Sequence, residues 1–228
     1  MNRLSGVGVL DKAVAVLDAV RGGPRSLADL QSRTGLPRAT VHRLAQALEM
    51  HGMVRRDTTG RFCLGFELLA LGHEAARGFP LVERARPHLE ALAALTGESV
   101  QLFVAEGDEH RRCVVSVQSS HGLRWIVPEG ALLPLALGSA GRVLSGEVPA
   151  RAGWVASVEE REAGVASVSA PVYAIEGHVV AAVSVSGPIE RLSRQPGRRF
   201  GEQVVATASA IFSSTASGMV GLAPYFGT

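Results

Sequence analysis

The chain has 228 residues, of which 46% are hydrophobic and 19% are charged, with a formal net charge of +2 at pH 7. This composition excludes an intrinsically disordered chain and is sufficient for one large domain or two smaller ones. Cys63 and Cys113 are too few for a disulfide framework or a zinc site built on cysteines. The sequence shows neither a signal-peptide core nor an apolar run long enough to span a membrane, so we expect a cytoplasmic protein without a membrane partner.

Positive charge is concentrated near the start of the chain. Residues 1–65 contain ten Lys or Arg and five Asp or Glu, whereas residues 66–228 contain 13 basic and 16 acidic residues. A basic N-terminal part followed by a mildly acidic remainder is typical of a polyanion-binding module joined to a second domain.

Residues 26–48 have the pattern of a helix-turn-helix. Apolar residues at a 3.6-residue period predict a preceding helix over 10–20. Ser26 then caps the second helix, with Asp29 as its partner in a capping box. The beginning of the second helix is therefore well defined by the sequence.

The third helix follows a turn at Gly35, with Pro37 in its first turn, and ends near residues 51–52. Its apolar face would pack inward, and its opposite face would enter the major groove of DNA. The side chains predicted to contact DNA from this helix are Arg38, Thr40, His42 and Arg43.

Two short strands, over 53–56 and 61–64, are predicted on either side of a turn at 57–60. A hairpin directly after a helix-turn-helix is a wing, and its cations would contact phosphates or a narrow minor groove. The predicted wing contacts are Arg55, Arg56 and Arg61.

Residues 66–77 predict a further helix, which we interpret as a linker. Its candidate apolar side carries Phe66, Leu69, Ala70 and His73. The proposed domains are a winged helix-turn-helix over 1–65, the linker helix over 66–80 and a second domain over 81–228.

The second domain begins with a predicted helix over 81–96. After this helix, apolar residues alternate with other residues, which is the period of a strand. The inward face of this helix is predicted to carry Leu81, Ala85, Leu89, Leu92 and Leu95. Further predicted elements are strands near 100–104, 115–117, 125–127, 165–172 and 179–186, a short helix within 133–144, a closing helix over 200–212, and a frayed tail over 218–228. Helices flanking an antiparallel sheet indicate an α+β fold.

Several of these segments resemble the IclR family of transcriptional regulators. The first is GLPRATVHRL, and the others are LPLALGSAGRVL, GVASVSAPV and VVAAVSVSGPIERL in the second half. GVLDKA and EREAGVASVSAPV are similar to the actinobacterial NdgR/LtbR-like branch, which regulates amino-acid metabolism. The resemblance implies a winged helix-turn-helix and a GAF-like effector-binding domain in a homodimer or tetramer that binds operator DNA, without a cofactor or a metal.

The resemblance also implies a pocket for a small effector, such as an amino acid or a carboxylic acid. The matching candidates are Ser139, Ser167, Ser184 and Ser186, and Ser157 lies where some relatives have an acidic residue.

Two departures from the family leave alternatives open. Gln31 replaces a small residue, and the segment between Leu144 and Gly153 is shorter than in relatives. A regulator that no longer responds to a ligand is therefore one alternative. A metabolite-binding module or an enzyme without DNA binding is another, but the sequence offers no catalytic constellation, so we expect no enzymatic activity.

Overall fold

The computed structural model describes residues 5–78 and 80–216. The chain forms two compact units, residues 1–78 and 79–228. Within the described residues, no helix is both long and apolar enough to cross a membrane. The frayed tail predicted over 218–228 lies outside the described residues.

The first unit is a helix-turn-helix followed by a wing and one more helix. Its elements are α1 (Gly8–Val20), α2 (Leu27–Thr34), α3 (Arg38–Met50), β1 (Val54–Arg56), β2 (Phe62–Leu64) and α4 (Phe66–Arg77). This architecture confirms the predicted winged helix-turn-helix.

The predicted capping box is present at the start of α2. The Ser26 hydroxyl accepts a hydrogen bond from the Asp29 amide, and the Asp29 carboxylate accepts from the Ser26 amide and hydroxyl. The Ser26 amide and hydroxyl lower the pKa of Asp29. Gly35 closes α2 in the left-handed conformation, with φ of 66°. Pro37 is the N-cap of α3, one position earlier than predicted.

The first unit has a core of its own. Its fully buried side chains come from α1, α2, α3 and the wing: Val16, Val20, Leu30, Val41, Ala45, Val54 and Phe62. The amides and carbonyls of Arg25 and Phe62 exchange two hydrogen bonds, of 2.8 and 2.7 Å, which join the start of α2 to the wing. The position of the wing against the helices is therefore fixed by backbone pairing and by packing.

The second unit is a six-stranded antiparallel sheet with helices on both faces. Its elements are α5 (Pro80–Thr96), β3 (Ser99–Glu106), β4 (His110–Val117), β5 (Leu132–Pro134), α6 (Ser139–Leu144), β6 (Val155–Val158), β7 (Val165–Tyr173), β8 (Val179–Pro188), α7 (Ile189–Leu192) and α8 (Pro196–Ala216). The strand order is β5-β4-β3-β8-β7-β6. The predicted α+β class is confirmed.

Strand alternation divides the sheet into two chemically different faces. One face is aliphatic and packs against α5 and α8, with Val183 and Val185 fully buried in that core. The intervening residues of β8, Ser184 and Ser186, belong to the opposite face, which packs against α6. The polar side of the sheet is thus the side that α6 covers.

Two predictions for the second unit are wrong. Leu95 is 69% exposed rather than buried. It lies about 100° around α5 from the half-buried Thr96, which continues the row of the buried Ala85, Leu89 and Leu92. Residues 125–127 do not form a strand, and residues 130–134 instead pair with the first half of β4. Strands β5 and β6 were not predicted.

Replacing Ser26 with Ala removes the capping box, and we expect the free energy of unfolding to fall by about 1 kcal/mol. Chemical denaturation followed by circular dichroism measures this change. Ser32→Ala is the matched control, because Ser32 is an exposed serine inside the same helix. A Ser26→Ala variant as stable as Ser32→Ala would contradict the role assigned to this cap.

Candidate functional site

Helix α3 presents a polar face to solvent because its apolar side chains are used in the core. Val41, Ala45 and Leu48 are buried. Of the residues predicted to contact DNA, Arg38, His42 and Arg43 are exposed and Thr40 is half-buried. Gln46, one turn after His42, is exposed on the same face and was not predicted.

The predicted cations differ in how far they are already paired. Arg56 forms an ion pair with Glu49 at 3.2 Å, and Arg61 approaches Asp29 at 3.9 Å. Arg38 and Arg43, by contrast, make no ion pair with any described residue. The unpaired positive charge of α3 is therefore available to an external polyanion.

The wing carries its cations on a well-defined hairpin. Oδ1 of Asp57 accepts hydrogen bonds from the amides of Thr59 and Arg61, each at 2.9 Å. The guanidinium of Arg56 lies 4.2 Å from the ring centre of Phe62, and that of Arg55 lies 5.2 Å from the ring centre of Phe66. Of the three wing arginines, Arg55 alone makes no ion pair with a described residue.

A cavity of about 30 Å³ lies on the polar face of the sheet in the second unit. It is lined by Gln101, Phe103, Arg111, Trp125, Val127, Gly138, Ser139, Ala140, Ser157, Arg161, Glu162, Val165, Ser167, Ser184 and Ser186. The structure therefore brings together all four serines that the sequence singled out, and Ser157 as well.

Hydroxyl groups in this cavity are held by short hydrogen bonds. The Ser139 hydroxyl lies 2.7 Å from each of the hydroxyls of Ser167 and Ser169. The Ser186 hydroxyl donates to Oε1 of Gln101 at 2.7 Å. Strand register places these groups on one face of the sheet, because Ser184 lies opposite Gln101 on β3 and Ser186 lies opposite Ser167 on β7.

Besides Arg161 and Glu162, sequence reasoning missed two polar side chains of the cavity, Gln101 and Arg111. Both are buried, with 1% and 2% of their surface exposed. Gln101 occupies the same face of β3 as Phe103, so its position within an apolar strand was the available signal. Arg111 follows a charged turn in the sequence, and nothing in that context indicates burial.

Arg111 is held mainly through one of its nitrogens. Its Nη1 donates to the carbonyls of Pro134 and Leu137. Its Nε is buried and has no hydrogen-bond partner among the residues that the structure describes. Burial, and in smaller part the charge of Arg161, lower the pKa of Arg111 to about 10. The side chain remains a cation at neutral pH.

Arg161 adds a second positive charge to the cavity. Its guanidinium lies 5.1 Å from the ring centre of Trp125, and burial lowers its pKa. Glu162 is the one acidic residue among the described lining residues, and its attraction to Arg161 partly offsets that burial. Two guanidinium groups therefore share the cavity with a single, exposed carboxylate.

Comparison with known proteins identifies both units. Residues 9–58 match the model of the IclR helix-turn-helix domain, and residues 149–213 match that of the bacterial transcriptional regulator IclR C-terminal domain.

Relatives match over most of the chain. The glycerol operon regulatory protein of Streptomyces coelicolor is 30% identical over 82% of this chain and 87% of its own length. A Rhodococcus sp. RHA1 regulator of known structure is 27% identical, with a TM-score of 0.75 over 92% of this chain and 99% of its own. An IclR homologue from Microbacterium hydrocarbonoxydans, solved with 4-hydroxybenzoate, has a TM-score of 0.77 at 22% identity over 92% of this chain and all of its own, and shows the same fold.

The matched families and relatives are regulators, which confirms that the chain is not an enzyme. The winged helix-turn-helix and the sheet domain also correspond to the two parts of these proteins. The chain therefore belongs to the IclR family of transcriptional regulators, with a DNA-binding helix-turn-helix head and a C-terminal effector domain.

Proposed function

We propose that this regulator binds a palindromic operator as a homodimer or tetramer and senses a small metabolite of amino-acid metabolism. The proposed domains are the head over 1–65, a linker helix over 66–80 and the effector domain over 81–228. The observation that most directly supports DNA binding is the positive charge on the exposed face of α3, where Arg38 and Arg43 make no ion pair with a described residue. Ligand binding would change operator affinity by favouring one arrangement of the two heads.

The proposed DNA contacts fall into two groups. Arg38, His42 and Arg43 project from α3 and would reach base edges, since guanidinium groups bind guanine with two hydrogen bonds. The wing arginines, with Arg55 foremost, would contact phosphates. Arg56 and Arg61 must exchange an internal carboxylate for a phosphate, so they contribute less to affinity. Thr40 is half-buried and contributes at most a short hydroxyl contact.

Exposed apolar side chains in the head support self-association. Val9 and Leu10 of α1 are 67% and 53% exposed, and Phe66 and Leu69 of α4 are 73% and 72% exposed. Large apolar side chains on two helices of a small unit indicate a surface that another protein covers. A two-fold dimer would bury them and would present two recognition helices to the half-sites of a palindrome.

The cavity in the second unit supports a retained effector response. Its serine hydroxyls, Gln101 and Arg111 converge on one small space next to apolar side chains, as ligand sites require. A regulator that had lost its ligand would have no need to keep buried, unpaired polar groups there. We therefore favour a regulator that responds to an effector over one that has lost this response.

The amino-acid assignment is supported by the segments GVLDKA and EREAGVASVSAPV. The name of the Streptomyces relative offers a glycerol operon as the second candidate target. Genomic footprinting of the bound DNA decides between them, because the recovered sites identify the regulated genes.

Arg38→Ala and Arg43→Ala are each expected to weaken binding to a recovered operator by about 1–3 kcal/mol, because each removes a contact to base edges. Gel-shift titration measures the loss. Arg21→Ala is the control, since Arg21 is an exposed arginine of the same unit that pairs with Asp18. Operator affinity that stays at the wild-type value in both variants would contradict the assigned recognition face.

Leu69→Glu is expected to raise the dissociation constant of the dimer at least about tenfold, because a carboxylate would be buried in the interface. Sedimentation velocity measures the change. Leu95→Glu is the matched control, a leucine of α5 that is similarly exposed at 69%. If Leu69→Glu dimerises as tightly as the control, α4 does not form the interface.

A further inference from the structure

We propose that the effector is a short-chain carboxylate, and that Arg111 and Arg161 bind its charged group. The inference rests on the proposed function, in which this cavity holds the effector. It goes further by assigning the ligand's charge, its size and the two side chains that recognise it.

The first argument is the unused edge of Arg111. Nη1 is occupied by the carbonyls of Pro134 and Leu137, whereas no described residue accepts a hydrogen bond from Nε or Nη2. The Nε–Nη2 edge of a guanidinium is one that holds a carboxylate by two parallel hydrogen bonds. The protein thus supports Arg111 from one side and leaves a carboxylate-binding edge without an acceptor.

The second argument is the charge balance of the cavity. Neither Arg111 nor Arg161 forms an ion pair with a described residue. Burying an arginine with no counter-ion is costly unless an anion occupies the site. Glu162 attracts Arg161 from an exposed position without forming an ion pair with it. Glu160 is engaged elsewhere, since it accepts a hydrogen bond from the Gly138 amide at 3.0 Å. An external anion would supply the missing charge.

The third argument is that the unpaired groups are donors. Oε1 of Gln101 accepts the hydrogen bond of Ser186. The amide Nε2 of Gln101 is buried and donates to no described residue. Together with Arg111, the cavity therefore offers several hydrogen-bond donors that have no acceptor. A ligand rich in acceptors, such as an oxyanion, satisfies them, whereas a cation or an amine does not.

The fourth argument is size and apolar surface. A cavity of about 30 Å³ holds about two water molecules, so it suits a chain of a few atoms. Phe103, Trp125 and Val127 line it with apolar atoms. Such a wall is suited to the carbon chain of a short acid and gives no advantage to inorganic phosphate.

Isothermal titration calorimetry on the full-length protein tests the charge requirement. The probes are propionate and 2-oxobutyrate, their uncharged amides propionamide and 2-oxobutyramide, and inorganic phosphate. We expect an acid to bind at least about tenfold more tightly than its amide, because the amide loses the charge-assisted hydrogen bonds. Phosphate that binds as tightly as the acids would overturn the carboxylate assignment.

Arg161→Gln tests the binding residues in a variant that retains the fold, since Arg161 makes no hydrogen bond to a described residue. Its affinity for the acid is expected to fall by about 10- to 100-fold, while affinity for the amide stays the same. Arg111→Lys keeps a positive charge but loses the Nε–Nη2 edge that forms two parallel hydrogen bonds with a carboxylate. This variant should also lose affinity for the acid. Arg151→Gln, which removes an exposed arginine of the same unit, is the charge-matched control and should bind as the wild type does.

The outcomes separate this inference from the proposed function. Amides that bind as tightly as acids, or an Arg161→Gln variant that binds the acid as the wild type does, would overturn the inference and leave the effector pocket standing. If no probe binds, both the short-chain carboxylate and an effector response to it are excluded. Gel shifts on the same preparations show independently whether the head still binds DNA.

Discussion

The buried guanidinium of Arg111 organises the effector domain. By donating to the carbonyls of Pro134 and Leu137, it fixes the segment that leads from β5 into α6. That segment ends at the Gly138-Ser139 pair that lines the cavity. The packing around it is so close that a Cβ on Gly141 would lie 1.9 Å from the Leu135 carbonyl oxygen and 2.6 Å from Nη1 of Arg111. The shape of the cavity and the charge of its wall therefore depend on the same side chain.

The two units use positive charge in opposite ways. In the head, the core is closed by apolar side chains, so the cations of α3 are left in solvent, where they can meet a polyanion at little desolvation cost. In the effector domain, strand alternation directs polar side chains into a small enclosed space, where each unpaired donor carries a desolvation penalty. A ligand that relieves this penalty gains affinity from groups that the protein already holds in place.

The head could be predicted almost completely from the sequence, because local signals determine it: the Ser26 cap, the glycine turn and the periodicity of α3. The serine face was also predictable, since a period of two separates Ser184 from Val183 and Val185. The role of Arg111 was not. Its burial depends on carbonyls more than 20 residues later in the chain, and a charged residue beside a turn ordinarily faces solvent.

The most direct measurement of the central claim is a crystal structure of the regulator bound to the short-chain acid that it binds most tightly. The account predicts that the carboxylate oxygens lie within hydrogen-bond distance of Nε and Nη2 of Arg111, with Arg161 beside them. A carboxylate bound only by the serine hydroxyls, with the Arg111 edge still unoccupied, would contradict it.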